Sequence, residues 1–213
     1  ARWCAQVRRA FHAGRPLVCR LYPLGRQRQG GELHYMYQGS DFPCLEGCPE
    51  VLDLPHVSVA AYIEAQDAKR FEVAQDEYLE LMQKLADSAF AFLLETGLAE
   101  SGDKQTLRRW REMGREKPEQ LQDRLGPDWI DLLMLPELMD GLHDPIAFSR
   151  QHHDLLLVKA QESFGALNNV AGLRNASTLL MGLALHLGRG LGAHPTELAE
   201  HWIKTAKEHG ALD

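Results

Sequence analysis

All four cysteines of this 213-residue chain lie within its first 48 residues, at Cys4, Cys19, Cys44 and Cys48. The rest of the chain, about three quarters of it, contains none. Four thiolates are enough to complete a tetrahedral zinc site or to hold an iron–sulfur cluster. The distribution therefore predicts a cysteine-rich metal-binding lobe over residues 1–55 and a helical domain over residues 56–213, with one continuous domain as the alternative.

The spacing of the cysteines suits metal binding without requiring it. Cys44 and Cys48 are separated by three residues that include Gly47, so a short turn could direct both sulfurs at one ion. Cys19 and Cys4 would have to reach that ion from elsewhere in the fold. The paired CxxC elements of a zinc ribbon are absent from the sequence. Four free thiols in a reduced cytosolic protein are therefore the alternative, whereas a chain of this length needs no disulfide framework.

The residues around these cysteines resemble a known family. They read Arg15-Pro16-x-x-Cys19-Arg20-x-Tyr22-Pro23-Leu24, followed by a polar stretch and by Cys44-x-x-x-Cys48-Pro49. This order is similar to that of the YkgJ-type family of zinc- or iron-chelating proteins, which typically carries an RPxxCRxxP element followed by a Cys-Pro element. The resemblance covers residues 4–66 and implies a metal bound by Cys19, Cys44 and Cys48, with Cys4 as a fourth ligand.

The chain departs from this family at its amino terminus. The family's upstream CxxxCxxCC-like cluster is absent, and the sequence opens at Ala1 without a methionine. We therefore expect either a truncated amino terminus, which would leave further cysteine ligands out, or a member that lacks part of the metal site.

A second resemblance implies an enzyme. The flagellin lysine N-methylases carry a similar cysteine cluster, which implies transfer of a methyl group from S-adenosylmethionine to a lysine of a protein substrate or partner. An iron–sulfur cluster would be the cofactor of that reaction. No nucleotide-binding motif of the sequence supports this function independently. A redox- or metal-sensing regulator is a third alternative, and only the basic amino terminus favours it.

The amino terminus is strongly basic. Residues 1–31 contain seven arginines and neither a lysine nor an acidic residue, although the net charge of the whole chain is −7. Arg15 and Arg20 flank Cys19, where their guanidinium groups would balance the negative charge of clustered thiolates. The same pair could bind an anionic substrate or cofactor beside the metal. Aromatic residues are sparse among the arginines, which disfavours a nucleic-acid interface.

Helical periodicity dominates the rest of the chain. The strongest pattern runs from Asp67 to about Thr96, where apolar residues form one stripe and the acidic residues are expected to face water. Further helices are predicted at Val59–Gln66, with Ser58 as the cap, at Asp103–Met113, from Pro118, at Pro145–Phe164, at Asn175–Gly188 and from Pro195 to Gly210. The predicted fold is mainly α, with an irregular cysteine-rich lobe that has at most a short β-hairpin and packs on a multi-helix body.

Two shorter patterns carry specific predictions. Leu33–Tyr37 has β-favouring residues of alternating polarity and predicts a strand, with Leu17–Leu21 as its partner. His34 lies within that strand and is predicted to be an exposed histidine. The alternative interpretation is that it is an extra metal ligand. His152 and His153 lack the HExxH arrangement of a metalloprotease and are predicted to face solvent or to cap a helix.

Membrane insertion is not expected from this sequence. No apolar run approaches the roughly 20 residues that cross a bilayer. The chain also shows no basic leader followed by an apolar segment, which predicts a cytoplasmic location.

Overall fold

The computed structural model describes residues 17–29, 32–38, 56–95, 104–127, 129 and 144–212. Over these residues the protein is mainly helical with one two-stranded antiparallel hairpin, which confirms the predicted fold class. The elements, in chain order, are α1 (Leu17–Leu21), β1 (Leu24–Gln29), β2 (Glu32–Tyr37), α2 (Val59–Ala65), α3 (Lys69–Leu94), α4 (Gln105–Arg115), α5 (Pro118–Leu125), α6 (Pro145–Phe164), α7 (Val170–Gly190) and α8 (Pro195–Glu208).

The chain divides into two compact units. The amino-terminal unit is Ala1–Val73, the helical unit is Ala74–Asp213, and the division falls within α3. The predicted domain boundary, after residue 55, lies earlier in the chain than this division and stays a prediction.

The hairpin of the amino-terminal unit pairs β1 with β2. Its register sets Leu24 opposite Tyr37 and Gln29 opposite Glu32. The strand predicted at Leu33–Tyr37 is thus confirmed, but the partner predicted for it is wrong, because Leu17–Leu21 is the helix α1. In α1 the buried positions are Arg20 and Leu21, and Leu17 is half-buried, so the burial has the three- and four-residue spacing of a helix.

A small apolar cluster holds this unit together. It consists of Leu21, Ile63 and Ala68, with Leu17 and Tyr35 packed against it. Helix α2 brings Ile63 into the cluster and begins after Ser58, whose side chain accepts a hydrogen bond from the Ala61 amide at 3.1 Å, as predicted for a cap. One strand, two short helices and the residue before α3 therefore meet at a single apolar contact.

The helical unit has a larger core formed by its long helices. Leu85 and Ala89 of the predicted α3 stripe are fully buried, and Tyr78, Met82 and Phe92 pack against the same core. Trp110 of α4 is also fully buried and contacts Phe90 edge-on, with 5.6 Å between the ring centroids. Burial of this continuous apolar surface is the main stabilising term of the unit.

Polar contacts cross this core between α3 and its neighbours. The Ser177 hydroxyl of α7 donates a hydrogen bond to the Ala89 carbonyl at 2.9 Å. The Tyr78 hydroxyl and His152 Nδ1 are 2.9 Å apart, and burial raises the pKa of Tyr78 to about 12. His152 and His153 are 3% and 4% exposed, so the prediction that they face solvent is wrong. Both are turned inward because they find polar partners on α3.

Among the described helices, none combines the length and the apolarity that spanning a membrane requires.

Candidate metal centre

Cys19 is the one predicted cysteine ligand within the described residues. It lies on α1 with an exposed side chain, and its thiol forms no disulfide. Its neighbours along the helix differ sharply, because Val18 is 72% exposed and Arg20 is 1% exposed. Helix α1 therefore turns Arg20 toward the interior of the amino-terminal unit and leaves Cys19 on its surface.

Arg20 anchors α1. Its Nη1 donates a hydrogen bond to the Gln66 carbonyl at 2.8 Å, and its guanidinium carbon lies 4.0 Å from the centroid of the Phe71 ring. A buried charge is tolerated only where hydrogen bonds and π-electron density replace the lost water, and both are present here. The predicted role of Arg20 in balancing thiolate charge stays a prediction, and the observed contacts give this residue a structural role as well.

A buried carboxylate fixes the hairpin to the first turn of α3. Glu72 is 1% exposed, and the Tyr35 hydroxyl of β2 donates a hydrogen bond to its Oε1 at 2.5 Å. The Nε atom of Arg26 in β1 lies 3.6 Å from the same oxygen, and Lys69 Nζ lies 3.7 Å from Oε2. One carboxylate thus joins both strands to the helix, through a hydrogen bond from Tyr35 of β2 and an ion pair with Arg26 of β1.

The burial of Glu72 differs from the prediction for α3. The pattern predicts that the acidic residues of this helix face water, which is wrong for Glu72. The local pattern holds no signal for its burial, because its partners Tyr35 and Arg26 lie more than 30 residues earlier, with Tyr35 37 positions away. Only the tertiary pairing of the hairpin with α3 makes the burial of Glu72 favourable.

A hydrogen bond from α2 supports the turn that follows α1. The Tyr62 hydroxyl donates to the backbone carbonyl of Tyr22. With the Arg20 contact, this bond ties Arg20 and Tyr22, which follow Cys19 in the chain, to the region of α2 and the start of α3. The arrangement can hold the backbone that carries Cys19 in one position, which is a requirement of a metal ligand.

The remaining predicted site residues, Cys4, Arg15, Cys44 and Cys48, lie outside the described residues. Within the part of the chain that the structure describes, no group of three or more His, Cys, Asp or Glu side chains is placed to bind a metal ion. His34 lies on β2 with 49% of its side chain exposed and with its Nε2 3.9 Å from Glu32 Oε2, as expected of an exposed strand histidine. The metal centre therefore stays a prediction.

Comparison of the chain with models of known families, with curated proteins and with solved structures finds no match in any of the three. The family resemblance of the cysteine region accordingly stays a prediction drawn from its motifs.

Proposed function

We propose that the amino-terminal unit is a metal-binding module that carries a zinc ion or an iron–sulfur cluster. The ligands are Cys19, Cys44 and Cys48, with Cys4 as the fourth. The observation that carries the proposal is the exposure of Cys19 on a helix whose next residue is locked into the interior.

A cysteine that binds a metal must be accessible to the other ligands and held in place. A thiolate that shares a metal ion with ligands from distant parts of the chain must point away from the apolar cluster of its own unit. The Cys19 side chain is exposed and meets this requirement. It must also be held by surrounding contacts, because a ligand on a freely moving backbone loses conformational entropy when the ion binds. The Arg20–Gln66 hydrogen bond and the burial of Leu21 provide that support.

The metal content of protein purified without oxygen tests the proposal. Elemental analysis should give stoichiometric zinc in a colourless protein, or iron with absorbance near 400 nm, roughly where thiolate-bound clusters absorb. Each of Cys19→Ser, Cys44→Ser and Cys48→Ser should lower the metal content. Val18→Ser is the matched control, because it introduces the same side chain at an exposed neighbouring position and leaves every thiol in place.

Unchanged metal content in all three cysteine variants would refute the assignment of ligands. Protein that contains no metal when its thiols are fully reduced would support the alternative of four free thiols. The methyltransferase-like and the sensing alternatives both require the same metal centre, so binding of S-adenosylmethionine is informative only after metal has been found.

A further inference from the structure

The helical unit contains a pocket of about 400 Å³ between α4, α5 and α7. Its apolar wall is formed by Met113, Leu125 and Leu179, of which the first two are buried. Polar residues complete the lining, namely Arg109, Arg124, Asn175 and Thr178. A cavity of this size with an apolar wall and a few convergent polar groups has the character of a small-molecule site.

One of the two arginines is already neutralised. Arg124 forms a two-point ion pair with Glu116, in which its Nε donates to Oε2 at 3.2 Å and its Nη2 donates to Oε1. This paired geometry uses the guanidinium edge that would otherwise bind an anion.

Arg109 is placed differently. Among the described residues no carboxylate pairs with it, and its hydrogen bond is from Nη1 to the side-chain oxygen of Asn175, at 3.4 Å. Arg108, one residue earlier, points to solvent and pairs with Glu112 at 3.0 Å. The pocket therefore faces a half-buried cation whose charge is not balanced by a carboxylate of the described chain.

We propose that this pocket binds a small amphiphilic anion. Its carboxylate or phosphate head group pairs with the Arg109 guanidinium and accepts a hydrogen bond from the Asn175 amide, and its short apolar body lies on Met113, Leu125 and Leu179. The apolar wall reduces the local dielectric constant, which strengthens an ion pair at Arg109 relative to one in water. The proposal involves residues of the helical unit alone and does not depend on the metal chemistry of the cysteines.

Titration of the full-length protein with matched probes tests the site. The probes are hexanoate, hexyl phosphate, hexan-1-ol and inorganic phosphate. Binding of each probe is monitored by the backbone amide and side-chain chemical shifts in ¹H–¹⁵N spectra. We expect saturable shifts at Asn175 and at residues around Leu179 with at least one of the two hexyl anions. Hexan-1-ol lacks the anionic head group, and inorganic phosphate lacks the apolar chain. Both should therefore bind at least about tenfold more weakly. Comparison of hexanoate with hexyl phosphate identifies the preferred head group.

The variants separate the pocket from general surface charge. Arg109→Gln should weaken binding of the preferred anion by about tenfold, since it removes a charge-assisted hydrogen bond. Arg108→Gln removes the same charge one residue away and outside the pocket, and should leave the affinity within about twofold. Asn175→Ala is a second variant, at an exposed position, and should also lower the affinity for the preferred anion.

Three results would each overturn the proposal. They are the absence of saturable shifts with both hexyl anions, equal affinity for hexan-1-ol, and an equal loss in Arg108→Gln and Arg109→Gln.

Discussion

At the scale of single residues, His186 is a half-buried titratable side chain of the helical unit. The residue belongs to α7, and its buried Nδ1 has no hydrogen-bond partner among the described residues. Burial, and to a lesser extent the positive charge of Arg189, lower the pKa of His186 below its usual value of 6.5. Arg189 itself is held in place, because its Nη2 donates to the Glu116 carbonyl at 2.8 Å.

This lowered pKa predicts a loss of stability in acid. In the unfolded chain His186 takes up a proton near pH 6.5, whereas in the folded protein it does so only at lower pH. Its contribution to the free energy of unfolding is therefore fully present above pH 6.5 and is lost as the pH falls through the folded value. Urea unfolding followed by circular dichroism at pH 7.5 and at pH 5 should show a smaller acid loss in His186→Gln than in the unmodified protein.

The control for that measurement is His201→Gln, which changes an exposed histidine of α8. It should lose as much stability between the two pH values as the unmodified protein. An identical acid loss in His186→Gln would show that another group is responsible.

At the scale of helices, a glycine sets the contact between α4 and α8. A Cβ atom at Gly114 would lie 2.7 Å from the Cβ of Ala199 and 3.0 Å from the Pro195 carbonyl oxygen. Neither of these atoms belongs to a flexible side chain that could turn away. The contact is reinforced by the Thr196 hydroxyl, which donates to the Gly114 carbonyl at 2.9 Å. The two helices can approach this closely only because position 114 has no side chain.

Gly114→Ala should therefore destabilise the helical unit. Alanine favours a helix by up to about 1 kcal/mol over glycine, but overpacking of a rigid contact costs about 1–3 kcal/mol, so we expect a net loss in the free energy of unfolding. Gly190→Ala is the matched control, because position 190 also lies in a helix and its added Cβ would have no atom within 4 Å. It should be neutral or slightly stabilising in the same urea titration, and equal destabilisation of both variants would contradict the packing argument.

The elements differ in how well the sequence predicts them. The long helix α6 has the predicted bounds Pro145–Phe164, because a proline at its first turn and a glycine after its end mark both termini. Helix α7 begins at Val170, earlier than the predicted Asn175, because the Asn169 side chain caps it by accepting from the Gly172 amide at 2.8 Å. Helix α1 lies where the sequence predicts a strand, since five residues are too few to distinguish a period of 3.6 from a period of 2.

At the scale of the whole molecule, the sequence predicts what depends on neighbouring residues and misses what depends on distant ones. The apolar stripe of α3 and the mainly helical fold follow from local periodicity. The pairing of Tyr35 with Glu72 and the close approach of Gly114 to Ala199 join positions far apart in the chain, so no local pattern contains them. The proposed convergence of the cysteines would be a contact of the same kind, and the sequence supports it only through their clustering and motif.

If the amino-terminal unit binds the proposed metal, the division into two compact units predicts a local response to its removal. The apolar core that includes Leu81, Trp110 and Leu185 lies within residues 74–213, which contain no cysteine. Anaerobic treatment with a chelator should therefore accelerate amide hydrogen exchange in residues 17–29, 32–38 and 56–73 and leave the exchange of α4, α7 and α8 unchanged, while most of the helical circular dichroism is retained. Mass-spectrometric hydrogen exchange measures both units at once. Equal loss of protection in both units would show that the metal stabilises the whole chain.

The hydrogen bond from Ser177 to Ala89 has a consequence for covalent modification. Asn175-Ala-Ser177 has the letters of an acceptor site for N-linked sugar, and such sites are used where the chain is accessible to the transferase as a surface loop. Here the triplet lies inside a regular helix, and the serine hydroxyl is buried and engaged with a carbonyl of another helix. Although Asn175 is exposed, the serine of the triplet is not accessible in the folded protein, and attachment of a sugar there would require α7 to unwind first.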